Sequence, residues 1–214
     1  YEDMGDVFER IGRLQEAMQA YKCAMGYVLE HEYVQRARLQ RKHALTWQER
    51  PAHPEGTNHI YALQGYKEAE RLLEQASAEL KAGWQQEWIQ LQLARLLPMR
   101  SSVDEMTLVI EKMQPIVEQY GTAEQHGRFY LAVCLRDLAR DHYVVSEQTV
   151  LYGRNALAVA ERIGDRNLLG FAHLALGGSL LWSDHMDEAE ENIHAAMRVG
   201  EQIGDATLFA RCLT

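Results

Sequence analysis

Four charged side chains between positions 136 and 141, Arg136, Asp137, Arg140 and Asp141, are the densest chemistry in the chain. Like charges recur at i,i+4 and interleave with opposite ones, so a single helix there would carry two Arg/Asp pairs. The plain expectation is a pair of salt bridges on an exposed face, worth about 0.3–0.5 kcal/mol each. The sharper one is that Arg136 and Arg140 face a groove and hold a carboxylate or phosphate of a partner. A second basic run, Arg36, Arg38, Arg41 and Lys42, reads as a solvated helix face that could also recruit an acidic partner segment. Trp84 and Trp88 stand four apart, and Trp182 is the third candidate aromatic anchor; core packing is expected for at least two of the three.

Catalytic constellations do not emerge from the same search. None of the nine histidines pairs with another at the i,i+4 spacing of a zinc-binding helix, and no Cys/His cluster has ligand spacing. His53 and His59 only share a stretch read as loop. Gly121 to Gly127 lacks the Lys-Ser/Thr ending of a phosphate loop. No nucleophile elbow is present, and Gly177-Gly178-Ser179 is explained by helical packing. The expectation is therefore no enzyme, no cofactor and no metal. Cys23, Cys134 and Cys212 are odd in number and far apart, which fits a reducing, cytoplasmic setting better than a disulfide framework. A net charge of −9 argues against direct nucleic-acid binding, and no apolar run approaches the roughly 18–20 residues of a membrane helix. The chain opens without Met and without a leader pattern, and reads as a piece of something longer.

The elements that must carry these residues are announced by three similar joints: Tyr120-Gly121-Thr122, Ile163-Gly164-Asp165 and Ile203-Gly204-Asp205, at intervals of 43 and 40. Glycine can take the left-handed conformation that ends a helix, and the Thr or Asp after it can cap the next one. Each triplet therefore predicts a tight antiparallel helix-to-helix joint, and repetition at this period predicts stacked helical pairs. Thr122 with Gln125 forms a capping-box pattern, Ser146 caps a further helix, and Asp184 is the expected cap of the helix that begins Asp187-Glu188. Gln48 to His59, with Pro51, Pro54 and Gly56, predicts a long loop.

Tyr1, Met4, Gly5 and Phe8, then Gly12, Ala17, Tyr21 and Ala24, fill the eight marker positions of the tetratricopeptide consensus, and the chain resembles that family. Leu176-Gly177 with Ala189, Ile193 and Ala196 resemble it again. Looser copies run through Leu93, Ala94 and Leu97 with Met106, Ile110 and Met113, and through Tyr130, Val133 and Cys134 with Ala156. Ala69, Leu73 and Ala76 mark the closing helix of the second unit. Positions 24, 76, 113, 156 and 196 close successive units at intervals of 52, 37, 43 and 40, against the usual period of about 34. The longer period is similar to that of the roughly 40-residue variants at the C-terminal ends of large bacterial signalling proteins, such as transcription activators of the maltose-regulon type and ATPase-coupled nucleotide cyclases.

The resemblance implies an all-α, right-handed α-solenoid of antiparallel helix pairs, a single repeat domain over 1–214. Its units span about 1–30, 31–82, 83–121, 122–164 and 165–204, with a half unit over 205–214. First helices would line a concave groove. Carried over unit by unit, the groove positions are Asp6 and Glu9, then Trp88, Leu91 and Arg95, then Arg128 and Leu131, then Leu174, Gly178 and Trp182, with Arg136 and Arg140 beside them. The implied function is a non-catalytic interaction or scaffold module that binds a peptide, a partner protein or another domain of its own full-length chain. The alternative is a small-molecule sensor feeding an output domain. Leu208, Phe209 and Leu213, at the start of the half unit, are expected to expose apolar surface and to drive a homodimer through the C-terminal end.

Overall fold

In the computed structural model, residues 1–49, 58–77, 83–96, 102–140 and 144–213 are described. They form eleven helices and fall into two compact units, 1–98 and 99–214. The first holds α1 (Glu2–Arg10), α2 (Leu14–Tyr27), α3 (Tyr33–Glu49), α4 (Asn58–Ser77) and α5 (Trp84–Leu96). The second holds α6 (Val103–Tyr120), α7 (Ala123–Arg140), α8 (Glu147–Ile163), α9 (Arg166–Leu181), α10 (Met186–Ile203) and α11 (Ala206–Cys212). Within each unit every helix packs on its sequence neighbour. Contacts between alternate helices, α3 with α5, α7 with α9 and α9 with α11, show that first helices of successive pairs lie side by side.

Small residues set the helix spacing. In the first unit a Cβ on Gly5 would run into the ring of Tyr21, which is fully buried together with Ala17 and Leu39. Tyr66, Ala69 and Leu73 of α4 pack with Ala37 and Ala44 of α3 and Leu91 of α5. The five unit-closing residues, Ala24, Ala76, Met113, Ala156 and Ala196, are all buried. Tyr1, by contrast, fills no space between pairs: it is exposed and stacks on Tyr27.

Two of the three joints form as their sequence implies. Gly164 and Gly204 both take φ +71°, and Asp165 and Asp205 accept from the N–H groups of Leu168 and Leu208 at 3.0 and 2.9 Å. The third differs, because Gly121 is extended at φ −65°, ψ 141°. Glycine is required there by crowding: a Cβ would sit 2.6 Å from the Val117 carbonyl oxygen. The Thr122–Gln125 box closes in both directions, at 3.2 and 3.0 Å, and Ser146 caps Thr149 N–H.

Asp184 is not a cap. It holds φ +61°, so that the His185 N–H can reach back to the Leu180 carbonyl at 3.0 Å, and His185 occupies the N-cap position of α10 without a side-chain capping bond. Asp tolerates this left-handed conformation better than most residues. The expected long loop is trimmed at both ends: Gln48 and Glu49 end α3, while Asn58 and His59 begin α4. Its remainder, with His53, lies outside the described residues, as do Leu97 and Asp141.

Candidate interaction surfaces

The side of the first unit carried by α1, α3 and α5 is built on charge. Lys42 of α3 reaches both Asp6 oxygens, at 2.7 and 2.8 Å, and Glu2 at 2.9 Å; Arg38 joins Glu2 at 2.9 Å. Arg38 Nε is enclosed without an acceptor among the described residues, so this arginine engages through its terminal nitrogen. Beneath them the single Tyr21 phenol proton lies between Asp6 (2.8 Å) and Glu9 (2.7 Å). Burial and those two carboxylates drive the phenol far above its ordinary titration range. Burial also works against ionisation of Glu2 and Asp6, but Lys42 with Arg38 on one, and Lys42 with Tyr21 on the other, holds both carboxyls below their ordinary values.

One helix further, Arg41 grips Glu87 of α5 through two bonds of 2.6 and 3.1 Å, with both side chains nearly out of solvent. Burial pushes the Glu87 carboxyl up, with Arg41 opposing it. Three of the four cations of the basic run, Arg38, Arg41 and Lys42, thus have acidic partners in the same chain, Glu2, Asp6 and Glu87, while Arg36 reaches only the Glu30 carbonyl at 3.5 Å.

The α5 positions carried over from the resemblance face elsewhere. Leu91 is fully buried and lines no surface. Trp88 is half-buried, stacked on Trp84 at 6.3 Å, and Trp84 donates to the Leu73 carbonyl at 2.8 Å. Arg95 pairs with Glu70 of α4 at 2.5 Å. Trp84 and Arg95 thus reach α4, and Leu91 and Trp88 pack in the core shared by α3, α4 and α5, whereas Glu87 points to α3. The consensus spacing carries the helical phase over from other repeats, and α5 is turned so that its tryptophans enter the core. Asp6 and Glu9 do lie on the α1–α3–α5 side, but as partners of Tyr21 and Lys42.

In the second unit, α7 and α9 meet at small residues. Cys134 Sγ is 3.3 Å from Ser179 Oγ, itself bonded to the Ala175 carbonyl at 2.9 Å. Burial pushes the Cys134 thiol up to about 11, which leaves it a packed, unreactive group. Arg128 spans from Glu124 (2.8 Å) to Asp165, the α9 cap (3.4 Å). Beside this seam Leu131 of α7 and Leu174 and Gly178 of α9 are half-buried, and Trp182, which ends α9, is 46% exposed. These four residues and Arg128 lie on α7, on α9 or at its C-terminal end, two helices that pack on each other.

Arg136 and Arg140 are held by a carboxylate of their own helix. Both close on Asp137, at 2.7 and 3.5 Å, and Asp137 is buried and accepts from the Thr149 hydroxyl at 3.3 Å. The expected exposed face is a half-enclosed α7–α8 contact. The signal missed in the sequence is Thr149, the residue on α8 that draws Asp137 inward.

Two open clefts are also formed among the described residues. One of about 420 Å³ lies among Tyr1, Glu2, Tyr27, Glu32 and Leu39; the other, about 380 Å³, among His173, Asn192, His194 and Arg198. In the second, Asn192 donates its amide to the Glu188 carbonyl at 2.8 Å, so its oxygen faces His173 Nδ1 at 2.9 Å and fixes the proton there. Among the described residues no cluster of three or more His, Cys, Asp or Glu could hold a metal ion, and no helix is long and apolar enough to cross a membrane. A scan against protein-family models finds no match, and a search of curated proteins finds none either.

Proposed function

We propose that the chain is a non-catalytic interaction module whose helix pairs are tetratricopeptide-like repeats of a right-handed α-solenoid, and that it docks a peptide or partner segment on the α7–α9 side of its second unit. One contrast carries this reading. The charged row on α1, α3 and α5 is satisfied internally, whereas Leu131, Leu174, Gly178 and Trp182 form an apolar strip that stays half-open to solvent. An apolar strip with an aromatic at one end suits the apolar face of an amphipathic segment, with Leu and Trp contacts giving affinity, and Arg128, which would have to exchange its partly exposed Glu124 for an acidic group of the segment, stands at the other end.

A panel of amphipathic peptides, acidic at one end, titrated against the chain by fluorescence anisotropy tests this. Binding is expected to weaken at least about tenfold in Trp182→Ala, with the melting temperature nearly unchanged because this side chain is half exposed. Binding indifferent to Trp182→Ala and to Leu174→Ser, or measurable turnover of a substrate by the purified chain, would overturn the assignment. A thermal shift from a sugar or nucleotide with none from peptides would favour the sensor alternative.

A further inference from the structure

The apolar opening expected at the C-terminal end is largely closed: Leu208 is fully buried and Phe209 half-buried, leaving Leu213 as its exposed apolar side chain. A more specific opening lies in the middle of α9. Glycine inside a helix weakens it relative to alanine, so each such position calls for a reason. Most find it within their own chain. A Cβ on Gly5 would run into Tyr21, on Gly65 it would lie 2.6 Å from Ala44 Cβ, and on Gly127 it would lie 2.7 Å from Leu168 Cδ2. Gly153, Gly170, Gly177 and Gly200 are crowded in the same way, at 3.3 Å or closer.

Gly178 is different. It is half-buried with ordinary helical backbone, and an added methyl would meet Leu138 Cδ1 at 4.0 Å and nothing nearer among the described residues. Gly26 shares that freedom, but it sits one residue from the end of α2, where helices fray and glycine costs little. Gly178 therefore weakens the middle of a helix while none of the described chain uses the space it leaves. A glycine of this kind marks close approach by a group from outside the chain.

The surroundings give that space a shape and a chemistry. Leu174 and Trp182 stand four residues to either side on the same face of α9, and Leu138 of α7 stands across from them. A single missing side chain in this row leaves a notch with apolar walls and the helix backbone as its floor. From Asn167 to Ser183 there is no Asp, Glu, Lys or Arg, so a charged group lodged there would find no counter-ion on α9. An apolar side chain would shed water without that cost.

We propose that Gly178 floors a socket for one bulky apolar side chain, of the size of Leu, Met or Phe, carried by the amphipathic segment that docks on the α7–α9 side. The socket presupposes the docking surface proposed above and adds the place and type of its anchor.

Amphipathic peptides of 16 residues, the length of α9, test it when they are acidic at one end and identical except for Ala, Leu, Met, Phe or Asp at one central apolar position. In anisotropy titrations the Leu, Met and Phe peptides should bind the parent chain at least about tenfold more tightly than the Ala peptide, and the Asp peptide should bind least. Gly178→Ala should weaken the bulky peptides about three- to tenfold while melting above the parent, so that binding falls as stability rises. Gly178→Leu, which fills the notch, should bring their advantage over the Ala peptide to within about twofold. Bulky peptides that bind the parent and both Gly178 variants alike would overturn the socket, and if Trp182→Ala still weakened those peptides the docking surface itself would stand. A preference for Ala at the varied position, or no preference, would also overturn it. Absence of binding by every peptide would remove socket and docking surface together.

Discussion

Gly177 and Gly178 are adjacent on α9, and substituting each with alanine should move stability in opposite directions. Both lie inside the helix with ordinary helical backbone, so alanine at either removes the extra freedom of the unfolded glycine and favours the helix by about 0.5–1 kcal/mol. At Gly178 the added methyl finds a single neighbour, Leu138 Cδ1, at 4.0 Å. That is ordinary contact, and the gain stands at about 1 kcal/mol. At Gly177 the same methyl would lie 2.8 Å from Ile193 Cγ1, 3.2 Å from the Ala189 carbonyl oxygen and 3.3 Å from the Ile193 nitrogen. The isoleucine can turn aside; the two backbone atoms can retreat only if α10 moves off α9, loosening the cluster of Leu176, Leu180 and Ala189. Overpacking of this kind costs about 1–3 kcal/mol, which leaves a net loss of about 1 kcal/mol. For a chain of this size the two variants should melt about 2–4 °C above and below the parent. Thermal and urea unfolding followed by circular dichroism would measure both. If the two substitutions shifted stability by the same amount in the same direction, the close approach of α9 and α10 at Gly177 would be refuted.

Arg41→Met should cost about 3–5 kcal/mol because it strands the buried Glu87, while Arg41→Met with Glu87→Met should recover most of that loss; urea midpoints of the single and double variants decide it. Glu2 and Asp6 have folded titration points held below their ordinary 4.5 and 3.8, so their contribution is present above those values and lost as pH falls through the lower folded ones. The melting-temperature gap between the parent and Lys42→Met should therefore shrink from pH 7 to pH 3, and a constant gap would contradict the pairing. Cys23 and Cys212 are partly exposed and Cys134 is buried with a raised thiol, so iodoacetamide should label the first two in the native protein and Cys134 only after unfolding, as peptide mass mapping would show. Asp184→Gly should raise stability by about 0.5–1 kcal/mol by relieving its left-handed backbone, and Asp184→Val should lower it.

The helix pairs were legible because caps and small residues are local signals. Thr122–Gln125, Ser146, Asp165 and Asp205 act within three residues of themselves, so spacing alone reveals them. The candidate surfaces were less so, because they depend on helical phase and on distant charge. The α5 residues Leu91 and Arg95 have the consensus spacing of groove positions, yet the stacked Trp84 and Trp88 draw that side of the helix onto α4. Arg38, Arg41 and Lys42 look solvent-bound in sequence because their carboxylates lie 36 to 46 residues away. Gly121 and Asp184 show the same limit at smaller scale. Composition proposes glycine for the left-handed position and aspartate for the cap, while the path of the backbone assigns glycine to a crowded extended position and aspartate to the left-handed one.

The basic run on α3 also bears on how such a succession of helix pairs can change over generations. Arg38 and Lys42 reach back to α1, and Arg41 reaches forward to α5, so a single helix carries the address of both neighbours. Duplicating, deleting or exchanging a helix pair at this place would leave an enclosed charge facing the wrong surface. Apolar seams tolerate such shuffling far better than enclosed ions do. The order of α1, α3 and α5 is therefore written into the chain by electrostatics, and lineages that gain or lose helix pairs should do so away from this stretch.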